Sequence, residues 1–129
     1  MAGIDNAAIL LKSDYQFKGA LTENFVLQQL IGQFSVEPRF YAEGRGSEID
    51  FLLQNGTEII PVEVKSGEDK NAVSFKNYIN KYKPEIAIRF STNEYMTNGS
   101  ITNIPLYFAG KTLELIIWIS DDLNLWTEQ

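Results

Sequence analysis

Residues 47–66 read SEIDFLLQNGTEIIPVEVKS, and this stretch decides the fold. Two apolar, β-prone runs, 47–54 and 58–66, lie on either side of Asn55-Gly56, a dipeptide that favours a tight turn between paired strands. The stretch therefore predicts a β-hairpin closed by a two-residue loop at Asn55-Gly56.

The register of this hairpin determines which side chains share a face. A loop at Asn55-Gly56 would pair Asp50 with Pro61, and side chains along a strand alternate between faces. One face is then entirely apolar and is predicted to be buried: Ile49, Phe51, Leu53, Ile60, Val62 and Val64. The other face carries Glu48, Asp50, Leu52, Ile59, Pro61, Glu63 and Lys65. Its charges gather at the end away from the turn, where Asp50 and Glu63 become diagonal neighbours.

The rest of the chain predicts a single α/β domain over residues 1–129, with a mixed sheet flanked by helices. Apolar periodicity predicts helices and strands around the hairpin, with Asp69 as a helix cap and Pro84 as a helix end. The predicted helices are 6–12, 19–31 and 70–82, and the further predicted strands are 34–42, 85–91 and 104–109. Residues 92–103 are predicted to be a loop, and residues 110–129 have too weak a periodicity for an assignment.

Composition excludes several kinds of site. The 129 residues include no cysteine and no histidine, which rules out thiolate and imidazole chemistry and leaves carboxylates, lysines, hydroxyls or a metal held by oxygen ligands. The net charge of −6 counts against a DNA-binding surface over the whole protein. A basic strip at Lys70, Lys76, Lys81 and Lys83 is either a track for phosphates or a solvated helix face. With no signal peptide and no apolar run long enough to span a membrane, we expect a cytoplasmic protein.

The carboxylates of the hairpin need a compensating charge. Asp50 and Glu63 would repel each other on one face, and Glu23 interrupts the apolar stripe of helix 19–31. A divalent cation would offset these charges, and Lys65 lies on the same face to assist. The alternative is a solvated edge hairpin, with Glu23 as a boundary residue of the helix.

These residues resemble the PD-(D/E)XK nuclease superfamily, in which a helix glutamate precedes a hairpin bearing Asp and then (Asp/Glu)-x-Lys. The matching positions are Glu23, Asp50 and Glu63-Val64-Lys65, with Ile49 in place of the proline. The resemblance implies a restriction-endonuclease-like core and Mg²⁺ or Mn²⁺ bound by Asp50 and Glu63. It also implies that Lys65 stabilises charge or activates water, and that Glu23 is an auxiliary residue of the site.

A closer resemblance extends over residues 18–109. The segments KGALTENFV (18–26), SEIDF (47–51), PVEVKSG (61–67) and NIPLY (103–107) are similar to the uncharacterised C-terminal domain of bacterial and archaeal AAA-type ATPases. This resemblance implies an ATPase module or partner chain, and the present chain is then expected to be a fragment, a truncated gene product or a stand-alone relative. The tail 110–129 lies outside it.

Three functions follow as expectations. The first is a metal-dependent DNA nuclease, or the accessory domain of an AAA-type ATPase. The second is a non-catalytic module that binds DNA or a protein. The third is a homo-oligomer formed through the apolar tail.

Overall fold

The computed structural model describes residues 7–41, 48–65 and 72–127, with side chains over 19–37, 48–65 and 73–123. The elements are α1 (Ala7–Ile31), β1 (Ser35–Tyr41), β2 (Glu48–Asn55), β3 (Glu58–Val64), α2 (Ala72–Tyr82), β4 (Ala87–Ser91), β5 (Met96–Asn98), β6 (Ile101–Pro105), a 3₁₀ helix (Leu106–Lys111) and α3 (Thr112–Thr127). Within these ranges no helix combines the length and the apolarity that crossing a membrane requires.

The strands form one six-stranded mixed sheet in the order β1-β2-β3-β4-β6-β5. The first three strands are antiparallel, β3, β4 and β6 are parallel, and β5 returns antiparallel to β6. This confirms the predicted α/β class with a mixed sheet. Pro38 lies in β1, at an edge of the sheet, where a residue without an N–H group is tolerated.

Helices cover both faces of the sheet, and each face has its own core. The larger core joins α1, the 3₁₀ helix and α3 to the apolar face of the sheet through Val26, Leu30, Phe51, Leu53, Ile60, Val62, Val64, Ile86, Ile88, Phe90, Ile104, Ala109 and Ile116. The smaller core joins α2 to the opposite face through Ile49, Phe75, Tyr78 and Ala87. Ile49 was predicted to lie with Phe51 on the apolar face, and its place against α2 corrects that prediction.

The hairpin register also differs from the prediction. The pairs are Asn55↔Glu58, Leu52↔Pro61 and Phe51↔Val62, so the loop consists of Gly56 and Thr57 rather than Asn55 and Gly56. The physical reason is Gly56, whose φ of 65° suits the first position of a type II′ turn. The strands slide by two residues relative to the prediction, an even number, so the faces assigned from Phe51 to Gln54 are kept.

Other differences concern the ends of elements. The predicted helices 6–12 and 19–31 are one helix, because residues 13–18 contain neither glycine nor proline to separate them. Residues 92–103 contain β5 and the start of β6, and residues 106–109 are a 3₁₀ helix rather than a strand. The exposed strand β5 has three residues and no apolar alternation that would have revealed it. The unassigned tail forms α3.

Helix α2 ends as predicted, just before Pro84. Lys83 adopts a φ of 47° and its N–H group donates to the carbonyl oxygen of Ile79 at 2.9 Å, a left-handed helix cap. The predicted cap Asp69 and the basic residue Lys70 lie outside the described residues.

Candidate functional site

The carboxylate of Asp50 is held by the backbone of the neighbouring strand. Its Oδ2 accepts a hydrogen bond from the N–H group of Val64 at 2.8 Å, and the residue is 6% exposed. If the ladder between β2 and β3 continued beyond Phe51↔Val62, its next hydrogen-bonded pair would join Val64 to Ile49. The side chain of Asp50 thus provides an acceptor for a strand N–H group where the pairing of β2 with β3 ends.

Glu63 stands one residue beyond the same last pair, on β3. The predicted register, which made Asp50 and Glu63 diagonal neighbours, is replaced by one shifted by two residues, whose last pair is Phe51↔Val62. Glu63 is 4% exposed, and its Oε2 accepts a hydrogen bond from Nε of Arg89 at 2.8 Å. A buried carboxylate requires such a partner, because an unpaired buried charge is costly.

Arg89 is brought to Glu63 by the parallel pairing of β3 with β4, in which the two residues are direct partners. Its guanidinium also lies 5.9 Å from the ring centroid of Phe75 on α2, within the range of a cation–π contact. Glu63 and Arg89 therefore lie on the face of the sheet that α2 covers.

The polar row continues across the sheet to Asn103, the partner of Arg89 on β6. The amide of Asn103 accepts a hydrogen bond from the Ser91 hydroxyl at 2.6 Å and donates to the carbonyl oxygens of Asn93 and Glu94. These bonds fix the chain as it leaves β4, on the same side of the sheet as Arg89.

Lys65 follows β3 directly. Its N–H group donates to the carbonyl oxygen of Phe90 at 2.8 Å, so its backbone is fixed to β4 although the strand has ended. Its side chain is partly buried. The next residues along the chain, 66–71, lie outside the described part of the structure.

Glu23 belongs to a different layer. It is partly buried on α1, whose Val26 and Leu30 pack on the sheet face opposite Arg89 and α2. Among the described residues, no group of three or more acidic side chains is close enough to hold a metal ion. Glu23, Asp50 and Glu63 thus do not form a three-carboxylate site among the described residues.

A family profile described as a domain of unknown function, DUF4143, matches residues 18–108. This chain belongs to the DUF4143 family. DUF4143 domains occur at the C-termini of AAA ATPases, in agreement with the resemblance found from the sequence. Neither a search of curated proteins nor a search of solved structures returned a match.

The DUF4143 match includes all four predicted site residues and also Arg89 and Asn103. Sequence reasoning missed these last two as members of the site. Arg89 was visible as a polar residue in the alternating strand 85–91, but only the parallel pairing of β3 with β4 makes it the partner of Glu63. Nothing in the DUF4143 sequence alone specifies that long-range pairing.

Proposed function

We propose that this DUF4143 domain is a PD-(D/E)XK nuclease-like domain with a restriction-endonuclease-like core, which hydrolyses DNA phosphodiesters with the aid of a divalent metal. The observation that carries the proposal is the placement of two buried carboxylates, Asp50 and Glu63, on neighbouring strands just beyond the last pair of their ladder. Lys65 follows at the end of the second strand, as the motif requires.

The donor set suits Mg²⁺ or Mn²⁺. The two carboxylates supply oxygen ligands, the chain has no sulfur or imidazole ligand from cysteine or histidine, and magnesium is commonly held by one or two carboxylates plus water. When bound, such an ion would polarise a phosphate and supply the attacking water.

The remaining steps fall to the protein's own groups. Lys65 would place its ammonium against a phosphate oxygen and stabilise the charge that develops there. Glu23, on the other side of the sheet, would assist from the margin of the site rather than bind the metal directly.

A second candidate function is a non-catalytic module that binds DNA or a protein. The bond between Glu63 and Arg89 favours it, because a carboxylate that is already neutralised does not require a cation. The net charge of −6 also favours a protein partner over DNA. In either case the domain would work in the cytoplasm beside an AAA-type ATPase, in the same or another chain, and a homo-oligomer is the third arrangement proposed.

The test is cleavage of plasmid and single-stranded DNA with Mn²⁺. The native chain is expected to cut, and Lys65→Ala is expected to abolish cutting while leaving the fold intact, because Lys65 acts on the phosphate rather than on metal binding. Lys111→Ala is the matched control, since Lys111 is exposed and its ion pair with Glu114, at 3.6 Å, lies at the surface. Cleavage that survives Lys65→Ala would point to a contaminating nuclease, and no cleavage with any divalent metal would favour the binding module.

A further inference from the structure

The bond between Glu63 and Arg89 places a positive charge where the proposed metal would bind. Nε of Arg89 lies 2.8 Å from Oε2 of Glu63, and the side chain of Glu63 is almost fully buried. A cation on this carboxylate would lie within a few ångströms of the guanidinium. Like charges at such distances repel strongly in a partly buried site, so the two cations compete for the same group.

Arg89 is partly exposed to solvent and contacts a second group, the aromatic ring of Phe75. Its side chain is 25% exposed, and its guanidinium already lies 5.9 Å from the centroid of the Phe75 ring. A guanidinium carries five N–H donors and is weakly hydrated, which suits it to exchange a carboxylate for an aromatic face and water. It can therefore leave Glu63 without becoming buried and unpaired.

We propose that Arg89 is the internal counter-ion of this site, a positioning residue that neutralises Glu63 in the metal-free protein and is displaced when a divalent cation binds. This inference rests on the proposed function, because it requires that Glu63 be a metal ligand. Its consequence is that Arg89 lowers the affinity of the site for metal while it stabilises the metal-free fold.

Four proteins test the inference: the native chain, Arg89→Met, Glu63→Gln and the double variant Glu63→Gln/Arg89→Met. Calorimetric titration with Mn²⁺ is expected to give roughly tenfold tighter binding in Arg89→Met, because a hydrogen bond to a charged group contributes about as much as one decade of affinity. Both proteins that carry Glu63→Gln are expected to lose binding.

The readout that a merely structural role would not change is the rise in melting temperature on addition of Mn²⁺. Without metal, Arg89→Met leaves a buried carboxylate unpaired and is expected to melt below the native chain. Mn²⁺ should raise its melting temperature more than that of the native chain. The double variant should melt closer to the native chain than Arg89→Met does, and it should not respond to Mn²⁺, because it has neither charge.

The native chain itself provides a test that does not depend on a variant that folds. Saturating Mg²⁺ is expected to shift the NMR resonance of the Arg89 Nε–H group, as its bond to Glu63 is lost. An unchanged resonance, or equal Mn²⁺ affinity in the native chain and Arg89→Met, would overturn the inference but leave the proposed metal site standing. Absence of binding in both proteins would overturn the metal-dependent function together with the inference.

Discussion

Asp50 has a structural role in the hairpin and a proposed role in metal binding. Its carboxylate accepts the N–H group of Val64, a backbone donor that would otherwise be buried without an acceptor, and it is also a proposed metal ligand. A substitution that removes the side chain therefore damages the fold and the site together. The effects on metal binding and on stability have to be separated by the choice of replacement.

Replacing Asp50 by asparagine or by alanine separates the effect on metal binding from the effect on stability. Asp50→Asn keeps an oxygen that can accept from Val64, whereas Asp50→Ala removes it and is expected to lower the free energy of unfolding by about 1–3 kcal/mol. Both variants should lose Mn²⁺ binding. Urea denaturation and calorimetric titration measure the two effects. Mn²⁺ binding that persists in Asp50→Asn would count against Asp50 as a charged ligand.

A second pair of carboxyl groups lies away from the site, at the start of β3. Burial raises the pKa of Glu58 above its usual value, and a hydrogen bond with Glu85 together with the charge of Glu85 raises it further. The folded state then holds the proton more tightly than the unfolded chain. The free energy of unfolding should therefore fall as pH rises from the usual glutamate pKa through the raised one.

Glu85→Gln removes the repulsion and can still hydrogen-bond to Glu58. At neutral pH we expect it to raise the free energy of unfolding by about 0.2–1 kcal/mol, the scale of exposed charge pairs, and to flatten the pH dependence in that window. Urea denaturation at several pH values measures this. Glu37→Gln, which removes one carboxylate at an exposed position on β1, is the control. A steeper pH dependence in Glu85→Gln would contradict the assignment.

At the scale of elements, the hairpin depends on the backbone of one glycine. Gly56 has a φ of 65°, and a Cβ placed there would meet no atom within 4 Å, so an alanine would suffer backbone strain without a clash. Gly56→Ala is expected to lower the free energy of unfolding by about 1–2 kcal/mol. Gly32→Ala is the matched control, because Gly32 has equal space and no positive φ. Equal urea midpoints for the two variants would show that the turn is not strained.

The same hairpin shows what the sequence could predict. Its existence follows from local patterns, and the register difference of two residues preserves the predicted faces from Phe51 to Gln54 because the side-chain period of a strand is two. The place of Ile49 depends on its packing against α2, and the partner of Glu63 is Arg89 on β4, 26 residues further along the chain. Local patterns carry no information about such a pairing. The sequence therefore did not reveal that Arg89 is the partner of Glu63 at the candidate site.

The tail escaped prediction for a different reason. Helix α3 buries Ile116 completely but leaves Ile117 and Trp118 more than half exposed. Its apolar residues therefore do not all lie on one face of the helix. Exposed Trp118 packs instead beside Tyr95, with ring centroids 5.9 Å apart. Apolar residues on both sides of a helix obscure the period from which a helix is recognised.

At the scale of the whole molecule, the folding unit extends beyond the DUF4143 match. The match ends at residue 108, yet Ile116 is fully buried in the larger core with Val26 and Ile88. Two neighbouring isoleucines test this. Ile116→Ala should lower the free energy of unfolding by about 2–5 kcal/mol, and Ile117→Ala, whose side chain is 53% exposed, should change it by less than about 0.5 kcal/mol. Similar urea midpoints for both would mean that α3 is an appendage, whereas the expected difference would make it part of the domain that positions Glu63 and Arg89.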